Sequence, residues 1–330
     1  SSAASDVYKR QAITGYPPED LLLRESFIGK NFAVLEEIAA FSSHTSGVIG
    51  FVDRKNDPHN QDNNKRTIAN AAAIVQNGDV RGIYHKSFLP NYSVFDEARY
   101  FSKGTEPNTL FWYDDIAIGI NICEDIWIED GPAEEQVKQG ASLIININAS
   151  PYDIHKSETR KEIVMKKALK LNVPIIYLNM VGGQDELVFD GGSFVVNDLG
   201  EIIYQASSFK EEVFHLDIDL KTNKQNDKSP LIIRPKTIEL KDVESKASLS
   251  KNESIYSALK LGLKDYVRKN KFTKVLIGIS GGIDSALTAA ICVDALGAEN
   301  VIGVAMPSKY NSKDSCLLYT SDAADDLLCV

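Results

Sequence analysis

The sequence predicts an α/β protein in two parts, and three features of the chain indicate it. Apolar, β-rich runs at 116–122, 142–149 and 173–180 alternate with stretches of helical periodicity, which is typical of parallel strands buried on both faces. A strand, a glycine turn, a helix and a second strand follow within 274–307. Between the two parts, 219–250 is rich in Lys, Asp, Asn and Ser with little periodicity, and we expect it to be a linker.

The composition narrows the class of protein. The 330 residues are 43% hydrophobic and 25% charged, with a formal net charge of −10 and no run long enough to cross a membrane. We therefore expect a cytoplasmic, globular protein with a sizeable core. The acidic balance argues against nucleic acid binding through a basic surface, although nucleotides can still be held by backbone amides. The four Cys have no CxxC or Cys/His spacing, so neither a disulfide framework nor a zinc site is predicted.

The two ends of the chain share one DNA sequence in opposite orientations. A back-translation of Ser1 to Gln11 has a reverse complement that encodes Cys316 to Asp325. We interpret 1–11 and 316–330 as translated sequencing adapter and set them aside. The alternative is a genuine helical tail. The native segment is then expected to be a gene fragment from about Ala12 to Ser315.

Cys123 lies at the end of the apolar run 116–122, and two carboxylates and an aromatic residue follow it. Open α/β sheets place their ligands at the carboxyl ends of strands, which favours a functional thiol here. Taken alone, however, a single Cys is more simply a small apolar core residue. Glu124 is a candidate to contribute its backbone N–H to an oxyanion hole, because it follows the thiol at a tight strand exit.

Two segments resemble the nitrilase, or carbon–nitrogen hydrolase, superfamily. GINICEDIW, 119–127, resembles its nucleophile segment, and YHKSFLPNYSVFDEARYF, 84–101, resembles its lysine segment. The resemblance implies an α-β-β-α sandwich in which Cys123 is the nucleophile and Lys86 stabilises the oxyanion. A cation beside the thiol also favours the thiolate. Without the resemblance, Lys86 is more simply a solvated surface charge, and His85 beside it is interpreted as structural.

The family's general base is missing from its expected position. Counting back from Gly15, the Glu of the family's Pro-Glu-Leu falls at position 10, where this chain has Arg10. General acid–base catalysis should therefore suffer, and we expect the fragment to be impaired or inactive. Glu186, in a glycine-rich segment, resembles a second acidic residue near the thiol, but it is not expected to replace the base.

Further residues resemble the glutamine subsite of the family's glutaminases. Ser150 and Lys156 would hold the amino-acid end of glutamine, with Arg160 nearby, because a cation suits the α-carboxylate of that substrate. The alternative is a pair of helix-surface cations at positions i and i+4. Tyr92 resembles a substrate contact, and Phe95 a wall of the pocket, although either can be a core residue. Two charged residues of the same loop, Glu97 and Arg99, are expected to brace it by pairing.

The second part carries Ser-Gly-Gly-Ile-Asp-Ser between a strand and a helix. A glycine pair at a helix N-terminus lets backbone N–H groups bind phosphate oxygens, although an N-capped helix would look similar. The string resembles the pyrophosphate loop of the N-type ATP pyrophosphatases, which implies the truncated start of a Rossmann-like adenine nucleotide α-hydrolase domain. Asp284 can also ligate Mg²⁺. The residues expected to bind ATP are Ser280, Gly281, Gly282, Asp284 and Ser285.

A nitrilase-type glutaminase followed by this loop is the arrangement of glutamine-dependent NAD synthetases, and Met306 to Tyr310 resembles a motif of that family. The resemblance implies hydrolysis of glutamine and ATP-dependent amidation of deamido-NAD in a homo-oligomeric parent enzyme. The alternatives are a nitrilase-superfamily amidase of other specificity and a non-catalytic fragment. The expected divisions are a glutaminase domain at 12–218, a linker at 219–250 and the start of the synthetase domain at 251–315.

Overall fold

A computed structural model describes residues 6–7, 12–43, 45–55, 67–113, 115–218, 220 and 245–305. The contacts divide into two units, one of residues 1–180 with 191–248, and one of residues 181–190 with 249–330. Arg10, the 306–310 motif and most of the expected linker lie outside the described residues. The described helices are all too short or too polar to cross a membrane.

Strands and helices alternate over residues 116–179, as the periodicity predicts, whereas residues 46–85 and 175–205 are runs of consecutive strands. The helices are α1 (Glu25–Ala40), α2 (Glu97–Tyr100), α3 (Pro132–Lys138), α4 (Lys156–Leu171), α5 (Lys251–Lys269) and α6 (Ile283–Leu296), with 3₁₀ turns at Glu19–Leu23, Cys123–Trp127 and Ala298–Asn300. The strands are β1 (Asp6–Val7), β2 (Ser46–Lys55), β3 (Thr67–Gln76), β4 (Asp79–His85), β5 (Leu110–Tyr113), β6 (Ile116–Ile122), β7 (Leu143–Asn148), β8 (Ile175–Asn179), β9 (Val181–Gln184), β10 (Leu187–Asp190), β11 (Phe194–Val196), β12 (Ile202–Gln205), β13 (Val275–Ile279) and β14 (Val301–Ala305).

The first unit contains two sheets. One has the order β1-β2-β3-β4, and the other has the order β12-β11-β8-β7-β6-β5 with β6, β7 and β8 parallel. A hairpin joins β3 and β4 through the Asn-Gly pair at 77–78, in which Asn77 has φ of 54° and Gly78 has φ of 82°. Both residues are left-handed, which gives the twist that a two-residue hairpin loop requires.

Apolar side chains from both sheets meet in a shared core, and helices cover the outer faces. Between the sheets, Val48, Ala72 and Tyr84 pack with Ile122 and Ile145. Helix α1 covers the outer face of the first sheet, and α3 and α4 cover the outer face of the second. The predicted α-β-β-α sandwich is therefore confirmed. Residues 213–218 form no strand. Every second side chain of this segment, Phe214, Leu216 and Ile218, nevertheless packs against the cluster of Val195, Tyr204 and Ala206.

The second unit combines the β9–β10 hairpin with α5, α6 and the parallel pair β13–β14. The backbone N–H of Gly183 donates to Asp265 Oδ2 on α5 at 2.7 Å. A Cβ at Gly183 would lie 3.0 Å from the Cα of Gly262, so two glycines allow the hairpin and the helix to approach closely. The strand pattern of this hairpin is concealed in the sequence by the two glycines of β9, so the hairpin is not predicted from periodicity.

Gly119 of β6 and Gly29 of α1 should respond to alanine in opposite directions. A Cβ at Gly119 would lie 2.6 Å from Ile144 Cδ1, whereas a Cβ at Gly29 would have no atom within 4 Å. Gly119→Ala should therefore destabilise the protein by about 1–3 kcal/mol through overpacking. Gly29→Ala should stabilise it by about 0.5–1 kcal/mol, because alanine loses less backbone entropy in a helix. Urea unfolding of both variants measures the difference, and equal free energies of unfolding would contradict this packing.

Candidate active site

Cys123 is the first residue of the 3₁₀ turn that follows β6. Ile122 is extended, with φ of −119°, and Cys123 then adopts a left-handed conformation, with φ of 48°. Such a conformation costs free energy in a residue other than glycine and is enriched at functional sites. Cys123 is only 3% exposed. The backbone thus turns sharply at the sulfur-bearing residue.

Lys86 directly follows β4 and is fully buried, with 0% exposure. Its Nζ donates to Glu97 Oε2 at 2.6 Å. The hydroxyl of Tyr16 donates to the other oxygen of Glu97 at 3.1 Å, and Asn70 Nδ2 does so at 3.4 Å. A buried ammonium needs such a partner, because an uncompensated charge in the interior is costly. The interpretation of Lys86 as a surface charge is therefore wrong.

Glu97 is the site residue whose role the sequence analysis missed. The expected partner, Arg99, instead lies 3.8 Å from Asp20 and 3.8 Å from Asp96. Glu97 is eleven residues from Lys86 and begins the one-turn helix α2 after an irregular segment, so no spacing rule connects them. The available signal was the general need of a buried lysine for a carboxylate.

The loop that carries Lys86 and the turn that carries Cys123 meet at one carboxylate, that of Asp125. The backbone N–H of Ser87 donates to Asp125 Oδ1 at 3.2 Å, and that of Ile122 donates to Asp125 Oδ2 at 3.0 Å. Each donor is the chain neighbour of one predicted catalytic residue. The fold therefore brings the segments that carry Lys86 and Cys123, which are far apart in sequence, together at one carboxylate.

Tyr92 and Glu124 lie at the surface of this region. The hydroxyl of Tyr92 donates to the two carboxylate oxygens of Glu124 at 3.0 and 2.9 Å. Tyr92 is 55% exposed, so the interpretation of Tyr92 as a core residue is wrong, whereas Phe95 is buried. The Nζ of Lys156 lies 5.5 Å from the centre of the Phe95 ring, within the range of a cation–π contact.

Ser150 follows β7 and is held by a buried arginine of α4. The guanidinium of Arg160 donates to Ser150 Oγ at 3.2 Å, to the carbonyl oxygen of Ser150 at 2.9 Å and to that of Pro151 at 2.8 Å. Arg160 is therefore not the helix-surface cation that the alternative interpretation required.

Lys156 begins α4 and lies within electrostatic range of the thiol. Partial burial lowers the pKa of Lys156 below its usual range, and repulsion from Arg160 lowers it further. Negative charge on Cys123 and Glu124 opposes this decrease in pKa. The structure thus gathers Cys123, Glu124 and Lys156 into one region of the first unit.

In the second unit, the predicted phosphate loop joins β13 to α6. The backbone N–H of Gly282 donates to Ser280 Oγ at 3.3 Å, and Ser285 Oγ donates to the carbonyl oxygen of Gly282 at 2.9 Å. Gly281 has φ of 83°, a conformation that favours glycine, and Asp284 lies in the first turn of α6. Glu186, which resembles the family's second acidic residue, is exposed in the turn between β9 and β10 of this unit.

The carbon–nitrogen hydrolase family model matches residues 12–226, which is more than half of the chain. The chain belongs to the carbon–nitrogen hydrolase family. The NAD synthase model matches residues 255–324, so the carbon–nitrogen hydrolase region is followed by a second recognised domain.

Two sequence relatives match more than nine tenths of this chain. The glutamine-dependent NAD(+) synthetase of Thermotoga maritima is 42% identical over 94% of this chain and 55% of that protein. The enzyme of the same name from Aquifex aeolicus is 40% identical over 92% of this chain and 55% of that protein. The chain therefore spans about half the length of these relatives.

Solved structures show the same fold. The glutamine-dependent NAD+ synthetase of Acinetobacter baumannii, in complex with ADP, has a TM-score of 0.78 and 38% identity over 94% of this chain and 54% of that chain. A nitrilase-superfamily amidase from Nesterenkonia has a TM-score of 0.52 and 19% identity over 61% of this chain and 72% of that chain. The second likeness supports the fold of the carbon–nitrogen hydrolase domain alone.

Proposed function

We propose that the first unit hydrolyses glutamine to glutamate and ammonia, and that the parent protein uses the ammonia to make NAD from deamido-NAD. The observation that carries the proposal is that the segments of Lys86 and Cys123 both bind Asp125, with Lys156 in electrostatic range of the same thiol. Hydrolysis of glutamine needs a nucleophile, a group that stabilises the oxyanion, and a cation that binds the amino-acid carboxylate.

In the proposed reaction, Cys123 Sγ attacks the amide carbon of the glutamine side chain and forms a C–S bond. The ammonium of Lys86 and the backbone N–H of Glu124 stabilise the negative oxygen of the tetrahedral intermediate. The general base that accepted the thiol proton donates it to the amide nitrogen, the C–N bond breaks, ammonia departs, and a thioester remains. Water hydrolyses the thioester, which releases glutamate and restores the thiol.

Specificity for glutamine is proposed to come from Ser150 and Lys156. Glutamine has an α-carboxylate that a simple aliphatic amide lacks, and a charge-assisted contact to Lys156 would bind it. The buried Arg160 supports this arrangement, because its three hydrogen bonds hold Ser150 and Pro151 in place. Tyr92 and Glu124, joined at the surface, would contact the rest of the substrate.

The second unit is proposed to bind the pyrophosphate part of ATP through Ser280, Gly281, Gly282, Asp284 and Ser285. Among the described residues, no group of three or more His, Cys, Asp or Glu can hold a metal by itself. Magnesium usually takes only one or two protein carboxylates together with phosphate oxygens, so Asp284 alone fits it. The parent enzyme is further proposed to be a cytoplasmic homo-oligomer.

The proposed glutamine contact of Lys156 predicts a pH dependence. The charged form of Lys156 binds the α-carboxylate, and its lowered pKa means that this form is lost earlier than for an ordinary lysine as the pH rises. The KM for glutamine should therefore increase at alkaline pH. Lys156→Arg should weaken this increase, because a guanidinium stays charged. The measurement is the pH profile of KM for the unmodified chain and for Lys156→Arg. Titration of glutamine itself affects both profiles equally and therefore cancels in the comparison. Identical profiles would contradict the contact.

Release of ¹⁵N-ammonia from amide-labelled glutamine tests the proposed function. We expect release from glutamine and much less from butyramide, which has the amide without the amino-acid end. Faster hydrolysis of butyramide would favour an amidase of other specificity. No release from either amide, even when a glutamate stands at position 10, would favour a non-catalytic fragment.

A further inference from the structure

We infer that Asp125 is a positioning residue that fixes Lys86 relative to Cys123. The inference rests on the proposed glutamine hydrolysis and adds a residue to it that need not touch substrate. Asp125 lies two residues after the thiol and is fully buried, with 0% exposure.

Each carboxylate oxygen of Asp125 accepts two hydrogen bonds. Oδ1 accepts from the backbone N–H of Ser87 at 3.2 Å and from that of Phe88 at 2.9 Å. Oδ2 accepts from the backbone N–H of Ile122 at 3.0 Å and from the hydroxyl of Tyr84 at 2.9 Å. A carboxylate has about four acceptor sites, so this set of donors satisfies it.

The two oxygens serve different segments. Oδ1 binds the two residues that follow Lys86, whereas Oδ2 binds the residue that precedes Cys123. On its other side, the Lys86 backbone is held by Asn70 and Gly104, with N–H to oxygen distances of 2.9 and 2.7 Å. A shift of the carboxylate would therefore change the separation of the ammonium and the sulfur.

The four donors around Asp125 suit a carboxylate better than an amide. Burial raises the pKa of Asp125 above its usual range, and the positive charge of Lys86 and the N–H donors offset this only in part. An asparagine keeps one acceptor oxygen, but its NH₂ group must face donors that need an acceptor. Asp125→Asn thus preserves size and removes the hydrogen bonds of one of the two segments.

The test compares Asp125→Asn with a matched control, Glu134→Gln. Glu134 is also a buried carboxylate, which accepts from Lys167 Nζ at 2.8 and 3.1 Å, but it lies on α3 and binds neither segment. Both variants are made in the Arg10→Glu background. We expect Asp125→Asn to lower kcat for glutamine by about 10–100-fold, because misplaced groups lose that much rate. The KM should change little, and Glu134→Gln should keep its kcat despite a similar loss of thermal stability.

Amide hydrogen exchange tests the inference without reference to catalysis. In Asp125→Asn, the exchange of the Ser87, Phe88 and Ile122 amides should accelerate by roughly tenfold or more, while the amides of β7 stay protected. Unchanged exchange at the three amides, or an equal loss of kcat in Glu134→Gln, would overturn the inference. If no variant hydrolyses glutamine, the proposed function fails, and the exchange pattern still decides whether Asp125 holds both segments.

Discussion

Arg10→Glu is expected to raise the rate at which this chain hydrolyses glutamine by about 10²–10⁴-fold. The resemblance places the family's general base at this position, where the sequence has an arginine. A carboxylate there would accept the thiol proton and return it to the leaving ammonia. The gain should appear in kcat and in kcat/KM for glutamine, measured by ammonia release at neutral pH.

Lys9→Glu is the matched control for this gain. It makes the same change in charge one position away and should leave the rate near that of the unmodified chain, because only position 10 corresponds to the base. Equal gains in both variants would mean that net charge, and not a positioned base, controls the rate. No gain in either would contradict the placement of the base at position 10.

Cys123→Ala is expected to remove glutamine hydrolysis altogether, by roughly 10³-fold or more in the Arg10→Glu background. Without the thiol there is no acyl-enzyme, and the remaining groups can only polarise the amide. Cys292→Ala is the control, since Cys292 is also a buried free cysteine but lies on α6 of the second unit.

The same variant separates the two proposed activities of the parent enzyme. Cys123→Ala in the complete protein should lose NAD formation from glutamine and keep NAD formation from added ammonia. Loss of both routes would count against two separate sites. Full glutamine hydrolysis by Cys123→Ala, or its loss in Cys292→Ala, would show that Cys123 is not the nucleophile.

Much of the first unit could be predicted from the sequence. The strands β6, β7 and β8 are apolar runs of the length of a buried strand, and Asn77–Gly78 determines one hairpin loop. Cys123 and Lys86 could be recognised because each lies at the end of a predicted strand within a segment that resembles a known family.

Other parts depend on contacts that no sequence period encodes. Glu97 pairs with Lys86 only because the loop between them folds back, and that return is determined by tertiary packing. The left-handed backbone of Cys123 is likewise imposed by its surroundings, since isolated cysteine disfavours it. In the sequence Asp125 is simply one more carboxylate after the thiol, whereas three of its four donors, Tyr84, Ser87 and Phe88, lie 37–41 residues away.

The hairpin of β9 and β10 affects any attempt to express the carbon–nitrogen hydrolase region by itself. Its chain ends continue into β8 and β11, yet its close-packed partner is α5, more than sixty residues later in the sequence. A protein cut after residue 218 would keep the hairpin and lose that helix, which would leave the hairpin face of Gly183 and Val188, packed against Gly262 of α5, facing water. A soluble, separately purified first half should therefore require that the cut be placed after α5, or that the hairpin surface be made polar.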